Sequence, residues 1–92
     1  MITALKVAFV STNATITTNR TRVYCFAASN YSASATEFWM AMNASAAATR
    51  LIAGRVPTEN VVSLDFGQAG VLFPDGLWVR VPTSGTITVA YD

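Results

Sequence analysis

Catalysis by proton transfer needs a group that can take and give a proton near neutral pH, and this chain has few. It holds no histidine, so the commonest general base and metal ligand is missing. Its carboxylates are Glu37, Glu59, Asp65, Asp75 and Asp92. Asp75 stands in a Pro-Asp-Gly turn, where aspartate serves backbone hydrogen bonding. Glu37 and Asp65 are the one pair that could act together, but their spacing does not ask for it. Cys25 lies in an apolar run with no histidine to make it a thiolate, so it reads as a buried, inert thiol. Gly67-Gln68-Ala69-Gly70 lacks the lysine and the following helix of a phosphate loop. The expectation is a non-enzymatic protein with no catalytic residues, no metal, no cofactor and no small-molecule substrate.

Asparagine and the aromatic residues leave binding chemistry open. Asn13, Asn19, Asn30 and Asn43 each begin an Asn-x-Ser/Thr sequon. Turns in a Ser- and Thr-rich chain generate this pattern by themselves, and that reading is preferred to glycosylation. Trp39, Trp78, Phe38, Tyr24, Tyr31 and Phe73 could stack on sugars, but aromatic residues of a small sandwich more often fill its core. Trp78 is the exception, because it alternates with Leu77, Val79 and Val81 and shares its face with Arg80.

These residues must be positioned by a chain of 92 residues, enough for a single domain over 1–92. Charged residues are 12% and apolar residues 52%, with a net charge of +1. Disorder requires the opposite balance, and nucleic-acid binding requires a basic excess. A single cysteine excludes a disulfide scaffold. No run is long enough to span a membrane as a helix, and Val7–Val10 is too short for a signal peptide. So few charges over a small core predict that other subunits cover part of the surface. The fifteen alanines soften that inference, since their methyl groups are benign in contact with water.

The periodicity is that of strands. Residues 6–10, 14–18, 37–42, 60–66, 71–73, 77–81 and 86–91 are apolar in alternation or in short steps, broken by Asn-Arg, Pro-Asp-Gly and Pro-Thr-Ser-Gly turns. Arg22–Ala28 is apolar at both parities, which predicts a central strand covered on both faces. Residues 77–81 and 86–91, joined by four turn residues, read as a hairpin. Alanine-rich 43–56 suits either a helix capped by Asn43 or a strand over 49–53, and the all-β surroundings favour the strand. The expected fold is a small all-β antiparallel sandwich, jelly-roll or Ig-like, of seven or eight short strands, with residues 1–8 as an extended N-terminal arm.

The segment Gly70-Val-Leu-Phe-Pro-Asp-Gly-Leu-Trp-Val-Arg-Val81, closed by Gly85-Thr-Ile-Thr-Val-Ala-Tyr91, resembles the ending of small β-sandwich proteins from the virions of tailed bacteriophages. Thr21-Arg-Val-Tyr24, a middle strand, a Leu-Ile strand and Val61–Phe66 fit the same order, so the resemblance covers most of 14–92. The resemblance implies a virion protein made in the host cytoplasm, most readily a capsid decoration or cement protein bound to the major capsid protein in many copies. It would bind neither nucleic acid nor membrane. Phe73, Trp78 and Arg80 are then the candidate interface residues. The alternatives are a tail, head–tail or fibre component of the virion, or a host-surface or glycan-binding module.

Overall fold

A computed structural model describes residues 5–42 and 50–92. Nine strands and no helix are found among them: β1 (Lys6–Val10), β2 (Ala14–Thr17), β3 (Thr21–Asn30), β4 (Thr36–Met42), β5 (Arg50–Val56), β6 (Asn60–Asp65), β7 (Val71–Phe73), β8 (Leu77–Arg80) and β9 (Gly85–Tyr91). The strand preferred over 49–53 is realised from Arg50 onward as β5, Thr49 lying outside the described residues. The proposed turn and helix cap from Asn43 lie outside the described residues, as do Met1–Ala4 of the expected arm. Lys6–Ala8 of that arm belong to β1 and are hydrogen-bonded into a sheet.

The strands form two antiparallel sheets. Sheet A runs β1-β9-β3-β6, with β7 also on β3, and sheet B runs β2-β8-β4-β5. Strand β1 pairs with β9, β2 with β8, β3 with β6, and β4 with β5. This nesting is that of one long hairpin closed between β4 and β5, whose successive rungs fall alternately in one sheet and the other. Such a rolled ribbon is a jelly roll, so of the two sandwich topologies expected, the pairing is the jelly roll's.

One apolar layer holds the sheets together. Alternation turns Phe26, Ala28, Ile87 and Val89 of sheet A toward Phe38, Met40, Leu77 and Val79 of sheet B. Phe26 and Phe38 meet across the gap with ring centroids 5.3 Å apart and planes tilted by 52°. Asn30, 1% exposed, fastens the end of β3. Its Nδ2 donates to the carbonyls of Ser34, Val56 and Pro57 at 2.9–3.2 Å, and its Oδ1 accepts from the Ser32 amide at 2.9 Å. One side chain of sheet A thus satisfies carbonyls at the end of a sheet B strand. At the other end of β3 the Tyr24 hydroxyl donates to the Asp92 carboxylate at 2.9 Å, and Thr21 Oγ1 donates to the Asp92 main-chain oxygen.

Two expectations are corrected. The C-terminal hairpin does not form: β8 pairs with β2 and β4, whereas β9 pairs with β1 and β3 in the opposite sheet. Pro82, which has no amide to donate, is buried in the crossing between sheets, where Ser84 has φ +55° and the Gly85 amide donates to the Pro82 carbonyl at 2.9 Å. Strand β3 is not covered on both faces either. Its mixed parity comes from a bulge at Tyr24 between Val23 and Cys25, which turns both Val23 and Phe26 inward and leaves Cys25 and Ala27 on the outside.

Two substitutions test this frame. A Cβ at Gly85 would stand 2.0 Å from the Ser29 carbonyl oxygen, so Gly85→Ala must push β9 away from β3. Asn30→Ala removes the amide donor from the carbonyls of Ser34, Val56 and Pro57, leaving the buried Val56 carbonyl without that partner, at a cost of about 2–3 kcal/mol. Each is expected to lower the thermal midpoint by roughly 10 °C or more, a scale set by the small size of the domain, and circular dichroism melting would read it.

Candidate functional site

Rolling the ribbon buries one face of each sheet and displays the other, so the candidate sites are the two outer faces. On sheet A the outward positions run in cross-strand rows: Phe9–Thr88–Ala27–Ser63 and Val7–Ala90–Cys25–Asp65. Small side chains occupy the middle strands and larger ones the edges. The result is a shallow apolar groove of about 640 Å³, floored by Cys25, Ala27 and Ala90 and bordered by Val7 and Leu64. Val7 and Phe9 are 68% and 67% exposed, and Val61, Leu64 and Leu5 are also open to solvent. Val7, Phe9 and Val61 take outward register positions on this face, and Leu64, which pairs with the inward Phe26, lines the groove from the β6 edge.

Sheet B presents different chemistry. Its register sets Trp78 beside Ala41, Arg80 beside Trp39, Trp39 beside Ala53, and Glu37 beside Arg55. A bulge between Met40 and Ala41 brings Arg50 opposite Ala41, on the same face. The Arg50 guanidinium lies 3.5 Å from the centroid of the Trp39 ring and that of Arg80 lies 4.6 Å from it. Trp78 is half-buried beside them, its ring centroid 6.4 Å from that of Trp39. Trp39 is only 8% exposed, covered by these neighbours and not by the core. Its Nε1–H is buried without an acceptor. Glu37 is taken by Arg55 at 3.3 Å, the one ion pair among the described residues. A groove of about 310 Å³ opens between Arg50 and Arg55 over Ala53 and Gly54.

The expected site residues separate accordingly. Trp78 and Arg80 come together on the outer face of sheet B, as their shared parity required. Phe73 does not join them: it is fully buried in the core, because β7 adds to β3 and turns its last side chain inward. The expectation of Phe73 as a contact residue is therefore corrected. Trp39 was expected in the core and instead anchors the outer cluster. Arg50, Val7 and Phe9 were not singled out. The alternation of Val7 and Phe9 with Ala8 and Val10 carried that signal, but a β-period does not tell which face is inside.

Other residues take plain structural roles. Glu37 and Asp65 lie on the outer faces of opposite sheets and form no pair. Asn13 Oδ1 accepts from the Val81 amide at 2.9 Å, and Asn30 is buried as described, so two sequon asparagines serve the backbone. Asn43 lies outside the described residues. No cluster of three metal-binding side chains occurs among the described residues. Cys25, expected to be buried, is half-buried in the sheet A groove. It should therefore react with a thiol reagent such as Ellman's in the folded protein, at a rate independent of global unfolding. Labelling only in denaturant would mean that the groove is closed.

No family model matches the chain, and neither a curated protein nor a solved structure shows significant similarity to it.

Proposed function

We propose that this chain is a non-enzymatic structural protein of a tailed-phage virion, most simply a decoration or cement protein that lies on the outer capsid. The observation that carries this reading is the outer face of sheet A. Among the described residues, a domain with few charges places Val7, Phe9, Val61 and Leu64, four of its seven exposed large hydrophobic residues, on the two edge strands that flank one groove, where packing against another protein would remove them from water. Strand β1, at the sheet edge among the described residues, also offers an edge for strand addition. The resemblance of residues 70–91 to small virion proteins supports the same reading. The jelly roll is compatible with it, since capsid proteins use that architecture, although a fold does not fix a function. Contacts of modest strength, repeated over an icosahedral lattice, would sum to a large reinforcement of the shell.

Purified protein added to particles lacking it provides the test. Replacing Val7 and Phe9 by serine should weaken attachment by roughly tenfold or more, as loss of two apolar contacts predicts. Folding stability should change little, because both residues are exposed in the free chain. Cys25 should become protected from thiol reagents on the particle. Attachment should vary little with salt, because it uses few ion pairs. Full attachment of the double-serine variant, or affinity that collapses at moderate salt, would overturn the reading.

A further inference from the structure

We propose that the outer face of sheet B binds an acidic saccharide, its carboxylate held by Arg50 and Arg80 and a sugar ring stacked on Trp78. This site is separate from the sheet A face and does not depend on its role. Two guanidiniums converge on one indole, at 3.5 and 4.6 Å from its centroid, and neither has a carboxylate partner among the described residues. The acid on this face, Glu37, is already engaged by Arg55. Attraction to the ring holds each cation in place, but it does not cancel the repulsion between them. An anion between them would. A guanidinium lying over a ring keeps N–H groups at its rim, where a carboxylate can accept two parallel hydrogen bonds.

Two further observations mark the cluster as incomplete by itself. The Trp39 Nε1–H is buried without an acceptor, an exception that self-contained packing rarely leaves. Small residues, Ala53 and Gly54, floor a groove of about 310 Å³ on the β5 side of Trp39, bounded by Arg50 and Arg55; Trp78 and Arg80 lie on the β8 side, so this groove would seat a further ring of the same saccharide.

The kind of anion follows from the surroundings. Phosphate-rich polymers call for a basic excess, and this chain carries a net charge of +1. An acidic peptide adding as a strand needs free backbone groups. Trp39, Trp78 and Arg80 lie over β4 and β8, both paired on either side within the sheet, whereas Arg50 stands on the edge strand β5, so the oligoglutamate arm of the test separates a peptide from a saccharide. A sugar brings its own hydroxyls and a flat C–H face, which a half-open indole such as Trp78 accommodates.

The test is titration by tryptophan fluorescence and calorimetry with oligogalacturonate, hyaluronate and sialyl oligosaccharides, each beside a neutral counterpart in which the carboxylate is esterified. At least one acid form should bind, and its ester should bind roughly tenfold more weakly or worse. Arg50→Gln, Arg80→Gln and Trp78→Ala should each reduce affinity by about tenfold, while Arg20→Gln, away from this face, leaves it unchanged. Binding should weaken as salt rises. Circular dichroism melting confirms that each variant is folded. No binding by any acid form, equal binding of acid and ester, or tighter binding of an oligoglutamate peptide than of every saccharide would each overturn the proposal. None of these results bears on attachment through Val7 and Phe9.

Discussion

The whole molecule depends on a single apolar layer between two sheets. Phe26 and Phe38 meet near its middle, and Met40, Leu77, Ile87 and Val89 extend it with no exposure to solvent. A rolled ribbon has nothing else to bury against, since no helix covers either sheet among the described residues. Each strand therefore gives alternate side chains to this layer and displays the rest. The outer faces are not residual surface. They are half of the strand positions, and their composition becomes the chemistry of the protein.

Those two faces are unlike. Sheet A displays alanine, cysteine and threonine between valine, phenylalanine and leucine, and its groove has only Asp65 among charged residues. Sheet B displays two tryptophans and three arginines against one glutamate. A near-neutral total thus conceals a division into an apolar side and a cationic, aromatic side. On a capsid, a chain anchored by sheet A would turn sheet B toward the medium.

Much of this was legible in the sequence, and the failures have physical causes. All-β periodicity, the turns at Pro74–Gly76 and 82–85, and the shared face of Trp78 and Arg80 follow from a period of two. Pairing partners do not. Residues 77–81 and 86–91 look like a hairpin because a short turn joins them, yet Pro82 carries the chain from one sheet to the other. Local spacing carries no record of which strands the ribbon brings together. Bulges are similarly hidden: the one at Tyr24 made β3 look buried on both faces, and the one at Met40–Ala41 set Arg50 beside Trp39. Phe73 was misplaced because a three-residue strand is too short to reveal its inward parity.

The central proposal is that the chain is a repeated packing component of a virion, held by its apolar face. Quantitative mass spectrometry of purified tailed-phage particles that contain the chain under the proposed reading, counting it against the major capsid protein, tests that claim most directly. The account predicts hundreds of copies per particle, in simple proportion to the capsid lattice. A handful of copies, or none, would contradict it.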